Sequence, residues 1–125
     1  MAMLAENVEL SPSAPDEPAA SQAAACLFKS LADPSRVALV QHLLLGEHRV
    51  KELVDHLGLA QSTVSAHLAC LRDCGLVTSR PQGRASVFSL TFPDHTRALL
   101  SAAEQMLAAT GDAVVLCPLT GQDAS

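Results

Sequence analysis

Apolar residues recur at helical spacing along most of the chain, and short polar or glycine-containing breaks divide them into segments. Asp33 followed by Pro34 is a typical helix start, and Gly46, Gly58 and Gly75 are typical helix ends. The predicted helices span residues 21–32, 34–46, 50–57 and 61–74. The last two, joined by a short turn containing glycine, predict a helix-turn-helix.

Beyond Gly75 the pattern changes to that of strands. Residues 76–79 and 85–90 predict a hairpin whose turn is formed by Pro81, Gln82 and Gly83. Pro93 then begins a final helix that runs to about Thr110. This order predicts a mainly α fold with a β-hairpin wing, the winged helix-turn-helix.

With 125 residues and 49% hydrophobic content, the chain fits one domain. It has no Trp or Tyr and three Phe, so its core is aliphatic, which favours helices. Residues 1–20 hold three prolines and four acids without a sustained apolar period, which predicts a disordered acidic tail. No apolar run approaches the roughly 20 residues that span a bilayer, and no leader pattern is present, so we expect a soluble cytoplasmic protein without a membrane partner.

The net charge of -5 is unusual for a nucleic-acid-binding protein, but the charge is unevenly distributed. Acids dominate residues 1–20, whereas residues 60–90 hold Arg72, Arg80 and Arg84 against Asp73 alone. The segment that would contact DNA is therefore locally basic.

Polar residues cluster at the start of the fourth helix, which would be the recognition helix: Gln61, Ser62, Thr63, Ser65 and His67. Side chains at this position contact base edges and phosphates in helix-turn-helix proteins. Arg80 and Arg84 flank the hairpin tip, where cations reach phosphates. The alternative, that the polar residues are only helix caps and solvated surface, is equally compatible with composition.

Residues 31–90 resemble the ArsR/SmtB family of metal-responsive repressors. The matching motifs are Leu31-Ala32-Asp33-Pro34-Ser35-Arg36, Gln61-Ser62-Thr63-Val64-Ser65-Ala66-His67-Leu68, Leu71-Arg72-Asp73-Cys74-Gly75-Leu76-Val77 and Gly83-Arg84 through Phe88-Ser89-Leu90. The resemblance implies a homodimer, with the first and last helices at the interface, that represses by covering a palindromic operator in double-stranded DNA. Residues 21–110 would form the DNA-binding and dimerisation domain, and residues 111–125 a C-terminal tail.

Two of the four cysteines lie in the recognition helix, at Cys70 and Cys74. A helical cysteine is more often a small buried residue than a ligand. At about 100° per residue, however, Cys70 and Cys74 lie about 130° and about 90° from the stripe formed by Val64, Leu68 and Leu71, and about 40° from each other. They share a face that is not the core face, and their spacing allows both sulfurs to reach one ion.

A tight site needs a third ligand, for which Cys117 is the candidate and Cys26 the alternative. The resemblance is strongest to the CmtR-type cadmium and lead sensors of the family, and it implies the ligands Cys70, Cys74 and Cys117, the last from the tail of the other subunit. Cys26 has no role in that pattern and is expected to be buried. Three thiolates favour Cd²⁺ or Pb²⁺ as inducer, with Zn²⁺ and arsenite also possible.

Other metal sites of the family are not predicted. Residues 50–57 contain no cysteine pair, and the last helix has Asp94 and His95 but no later His. His42, His48 and His56 show no zinc-ligand spacing, so each is expected to be solvated or partly buried.

Two alternatives remain open on sequence grounds. The same thiols would serve a winged-helix repressor that senses redox state or an organic ligand, and a protein-interaction module would lack DNA binding. An enzyme with a nucleophilic cysteine is not expected, because no His or Asp is placed to activate one and no phosphate-binding glycine loop is present. No organic cofactor is expected.

Overall fold

A computed structural model describes residues 17–117, so most of the predicted acidic tail and the last part of the C-terminal tail lie outside the described residues. The described elements are α1 (Glu17–Ser30), α2 (Pro34–Leu44), β1 (His48–Arg49), α3 (Val50–Leu57), α4 (Gln61–Asp73), β2 (Val77–Gln82), β3 (Ala85–Leu90) and α5 (Pro93–Ala109). This order confirms the predicted winged helix-turn-helix. None of the described helices is long and apolar enough to cross a membrane.

The first helix begins at Glu17 rather than near Ser21. The sequence predicts Pro18 in the disordered tail, but it lies in the first turn of α1, where its missing N–H leaves no helical hydrogen bond unmade. The start of α2 is as predicted. The Asp33 carboxylate accepts hydrogen bonds from the backbone N–H groups of Ser35 (2.8 Å) and Arg36 (3.2 Å), and Pro34 follows it.

The wing is a three-stranded antiparallel sheet in the order β1-β3-β2. In the hairpin, Val77 pairs with Leu90 and Gln82 with Ala85, so Pro81 and Gln82 belong to β2 and not to the turn. Pro81 is tolerated because β2 is an edge strand. The turn itself contains Gly83, whose φ of 64° favours glycine. β1 was not predicted, because two residues are too few to show an alternating pattern.

The core lies between α2, α3, α4 and the wing. Its fully buried side chains include Leu39 and Val40 from α2, Leu53 from α3 and the predicted α4 stripe, Val64, Leu68 and Leu71. Gly58 caps the C-terminal end of α3. It adopts the left-handed conformation, and its N–H donates to the Val54 carbonyl at 2.8 Å. Packing against the core and the Gly58 turn together therefore hold the helix-turn-helix in place.

The outer helices contribute little to this core. In α1 only Ser30 is buried, whereas Phe28 is 59% exposed. In α5 Leu100 is buried but Met106 is 72% exposed. The apolar residues of both helices are thus left uncovered within one chain.

Truncation of Leu53 tests the position of the core. Leu53→Ala is expected to lower the free energy of unfolding by about 2–5 kcal/mol, because it leaves a cavity where the side chain is fully buried. Leu45→Ala, at a position 54% exposed, is the matched control and should change it by about 0.5 kcal/mol or less. Equal losses in urea denaturation of the two variants would contradict this core assignment.

Candidate nucleic-acid interface and thiol site

The first turn of α4 presents polar side chains to solvent. Gln61, Ser62, Thr63 and Ser65 are all exposed, as their predicted role requires. The N-cap position is Ala60, which offers no side-chain hydrogen bond to the first turn. The free N–H groups and the positive end of the helix dipole therefore remain available to an anion.

A groove of about 380 Å³ runs from this turn to the wing. Gln61 and Arg84, both predicted to contact DNA, line it together with Arg49 and Lys51 at the start of α3. Arg49 and Lys51 were not predicted to bind DNA, although two cations on either side of Val50, the first residue of the helix-turn-helix, are a usable signal. The groove combines cations from three elements beside an uncapped helix start, which suits a phosphate backbone.

The two wing arginines differ in their surroundings. Arg80 donates to the Glu47 carboxylate at 2.7 Å, so its charge has an acidic partner on the surface. Arg84 lines the groove and is exposed. Nearby, Arg49 donates through Nε and Nη2 to the Gln82 side-chain oxygen, at 3.2 and 3.1 Å, which ties the start of α3 to the wing.

His67 lies on another side of α4 and is half-buried. Its Nδ1 is 3.2 Å from the Arg36 guanidinium, and since arginine has only donors, Nδ1 accepts this hydrogen bond. Its Nε2 is 3.9 Å from the Asp33 carboxylate. Desolvation raises the pKa of Asp33, but the hydrogen bonds from the Arg36 and Ser35 backbone N–H groups, with the charge of Arg36, hold that pKa below its usual value. The predicted DNA contact by His67 stays a prediction.

Cys70 and Cys74 are each half-buried, while the Val64, Leu68 and Leu71 side chains are fully buried. The prediction that the two cysteines lie off the core face is thus confirmed. Cys74 occupies the C-cap position, where its N–H donates to the Cys70 carbonyl at 3.2 Å. Cys70 and Cys74 are therefore one helical turn apart and joined by a backbone hydrogen bond.

The expectation that Cys26 is buried is wrong. Cys26 is exposed, because its face of α1 is not covered by the core. Its sulfur lies 3.2 Å from the Cys74 sulfur, and the Cys74 thiol is also 3.7 Å from the Cys26 carbonyl. The side-chain hydrogen bond with Cys26, followed by desolvation and the neighbouring Cys26 charge, raises the pKa of Cys74. The contact joins residues 48 positions apart, which no local pattern could show.

Cys117 lies against α5 of its own chain. Its thiol donates to the Arg97 carbonyl at 3.5 Å, and its backbone N–H donates to the Glu104 carboxylate at 2.7 Å. Hydrogen bonds from the Cys117 and Leu116 N–H groups lower the pKa of Glu104. Desolvation, and then the Glu104 charge, raise the pKa of Cys117.

The three predicted metal ligands are not brought together in one chain. Within residues 17–117 no three His, Cys, Asp or Glu side chains are arranged to hold one metal ion. The pair in close contact is Cys26 and Cys74, while Cys117 contacts α5. The donor chemistry itself, three thiols, fits a thiophilic ion.

Known proteins show the same organisation. Residues 33–79 match the family model for the bacterial regulatory proteins of the arsR family. The chain is 41% identical over 90 residues to the HTH-type transcriptional regulator CmtR of Mycobacterium tuberculosis, covering 72% of this chain and 76% of that protein. It is 46% identical over 66 residues, 53% of either chain, to the probable mercury resistance operon repressor of Streptomyces lividans.

Among solved structures, the chain is similar to a homodimeric winged helix-turn-helix DNA-binding domain from Mycobacterium bovis, with a TM-score of 0.63 and 25% sequence identity. That match covers 86% of this chain and 91% of the solved one. The match to CmtR spans most of both sequences and includes the helix-turn-helix. The chain therefore belongs to the ArsR/SmtB family and is a DNA-binding transcriptional repressor, not an enzyme.

Proposed function

We propose that this repressor binds operator DNA as a homodimer in the cytoplasm and releases it when Cys70, Cys74 and Cys117 bind a thiophilic ion, Cd²⁺ or Pb²⁺. The observation that carries the proposal is the double use of α4. Its first turn lines the basic groove through Gln61, and its last turn holds the two cysteines that lie off the core face.

The dimer is supported by the apolar surface of the outer helices. Phe28 of α1 and Met106 of α5 are exposed, and Phe92, just before α5, is 55% exposed. An apolar groove of about 230 Å³ lies between α1 and α5 and is lined by Leu27, Leu76, Phe92, His95, Thr96 and Leu99. Exposed apolar area of this kind marks an association surface, and the similar solved domain is homodimeric.

A dimer also accounts for the separation of the three cysteines within one chain. Cys117 packs against α5, which we place at the interface, so the thiol would lie near the partner subunit. A metal held by Cys70 and Cys74 of one subunit and the partner's Cys117 would fix the end of the recognition helix to that interface. Because the ion and DNA then act on the same helix, each lowers the affinity for the other by the same factor.

The ion is inferred from its ligands. Thiolates favour large soft ions over Mg²⁺ or Ca²⁺, and the relative named a probable mercury resistance operon repressor fits that class. Cd²⁺ and Pb²⁺ are proposed first, and Zn²⁺ and arsenite are the other ions that such thiols bind. The raised pKa values of Cys74 and Cys117 mean that the ion must displace protons from both.

The basic groove makes a testable contribution to DNA binding. Arg84→Ala and Lys51→Ala should each weaken binding to a fragment carrying the promoter upstream of the gene, and each should reduce the slope of log affinity against log salt by about 1. Lys29→Ala, which removes an exposed cation from α1 outside the groove, is the matched control. The assignment fails if Lys29→Ala lowers the salt slope as much as the groove variants.

The metal site is tested with single Cys→Ser variants. At about pH 8, where proton competition is reduced, the native protein should show thiolate-to-Cd²⁺ charge transfer in the ultraviolet and lose DNA affinity at one equivalent of ion per site. Cys70→Ser and Cys117→Ser should lose both responses. Cys26→Ser is the matched control and should keep both, since Cys26 is outside the proposed ligand set. Unchanged metal-induced release in Cys70→Ser or Cys117→Ser would rule out this mechanism.

A second candidate, redox sensing, is favoured by the 3.2 Å contact between the Cys26 and Cys74 sulfurs. A two-electron oxidant such as peroxide would convert the two thiols to one disulfide, with loss of two protons and two electrons, and peroxide would be reduced to two waters. The bond would tie α1 to the end of the recognition helix.

For this candidate, peroxide should remove two free thiols per chain and change DNA affinity in a way that dithiothreitol reverses. Cys26→Ser should abolish the reversible change, whereas Cys117→Ser should retain it. Mass spectrometry of peptides after oxidation identifies the bond, and a disulfide that excludes Cys26 would argue against redox sensing by this pair.

A further inference from the structure

Three histidines, each expected to be a solvated or partly buried side chain without zinc-ligand spacing, lie together in the structure. His42 is in the last turn of α2, His48 in β1 and His56 in the last turn of α3. Their ring centroids are 4.9 Å apart for His42 and His56, 5.4 Å for His48 and His56, and 6.3 Å for His42 and His48. We call these three residues the histidine cluster.

Two of the rings are already at chelating distance. The Nδ1 atoms of His42 and His56 are 3.4 Å apart. Two nitrogens bound to one tetrahedral Zn²⁺ at about 2.0–2.1 Å lie about 3.3 Å from each other. The separation of this pair therefore matches two ligands of a single ion. It is long for a hydrogen bond between ring nitrogens.

His48 is the neighbouring third ring. Its Nδ1 donates to the Gly46 carbonyl at 2.7 Å, which leaves the Nε2 lone pair free. A metal-binding histidine commonly donates its other N–H to a backbone carbonyl in this way. Three imidazoles on one tetrahedral ion place their ring centroids about 5 Å apart. Since no three ligands of the described residues yet surround one point, the His48 ring has to turn onto the pair.

Two acids that neighbour the cluster in the sequence have partners of their own. Glu47 pairs with Arg80, and Glu52 accepts from the Arg49 backbone N–H at 2.8 Å. Nitrogen donors select Zn²⁺, Co²⁺, Ni²⁺ or Cu²⁺ over the soft ions that thiolates prefer.

We propose that the histidine cluster is a second metal site, in which His42, His56 and His48 bind a borderline divalent transition-metal ion. The site is separate from the cysteines in both position and ligand chemistry, and it does not rest on the thiol site proposed above. An ion there would join α2 to α3, the first helix of the helix-turn-helix, and to β1, which pairs with the wing strand β3. Its effect would be to hold the DNA-binding elements in one arrangement.

The test uses the full chain without a polyhistidine tag and with all four cysteines changed to serine, so that thiols cannot contribute. Titration with Co²⁺ should show one ion per chain, with visible ligand-field bands and no thiolate-to-cobalt charge transfer. His56→Ala, at an exposed position, should weaken Co²⁺ binding by about tenfold or more. His48→Ala should weaken it as well, because it removes the third ligand.

His95→Ala is the matched control, since His95 is an exposed histidine on α5 whose ring contacts Phe92 and not the cluster. It should bind Co²⁺ as tightly as its parent. A folded cysteine-free chain that binds no Co²⁺, or His56→Ala binding as tightly as the parent, would overturn the proposal.

If the cysteine-free chain does not fold, metal binding by the histidine cluster can be tested through the imidazole NMR signals of the native chain with alkylated thiols. Zn²⁺ should shift the signals of His42, His48 and His56 and leave that of His95 in place. Signals of the cluster that do not respond to Zn²⁺ would show that the His42–His56 contact is only a hydrogen bond.

Discussion

The positions of α1, α2 and α4 depend on one guanidinium group, that of Arg36, which joins the three helices. Arg36, in the first turn of α2, donates through Nε to the Ser30 carbonyl at 2.6 Å and through Nη2 to the Lys29 carbonyl at 3.3 Å. Both carbonyls lie in the last turn of α1, where carbonyls run out of N–H partners within the helix. That of Lys29 also accepts from the Ala32 backbone N–H at 3.1 Å. The same side chain donates through Nη1 to His67 of α4. Because His67 and Cys74 are two turns apart on one face of α4, this junction brings α1 alongside the cysteines, and Cys26 reaches Cys74.

The features that the sequence predicted are those fixed by residues close to one another in the chain. The Asp33 cap involves hydrogen bonds within three residues, and the stripe of Val64, Leu68 and Leu71 follows helical periodicity. These features were sufficient to predict the helix-turn-helix and to place Cys70 and Cys74 off the core. Family resemblance added the expected use of the cysteines and of the outer helices.

The features that the sequence did not predict depend on how elements pack. The Cys26–Cys74 contact requires the end of α4 to meet α1, and the histidine cluster requires α2, β1 and α3 to converge. The pairing of Arg80 with Glu47 likewise crosses from the wing to the segment before β1. Side-chain spacing along one element carries no information on such contacts. Phe28 is exposed for a similar reason. A sequence pattern predicts that a helix has an apolar face, but it does not tell whether another part of the same chain covers that face.

The position of Cys74 constrains how the two proposed inputs can combine. Its sulfur faces Cys26 in one chain, and the same sulfur is a proposed ligand for the inducing ion. A disulfide sulfur has no thiolate to offer a metal, so oxidation of this pair and metal binding exclude each other. Oxidation would therefore leave Cys70 and Cys117 as an incomplete site of two thiolates. In this scheme the ion can bind and release DNA only while Cys26 and Cys74 are reduced. The short contact with Cys26 also raises the pKa of Cys74, so a proton, an oxidant and a metal ion compete for the same sulfur.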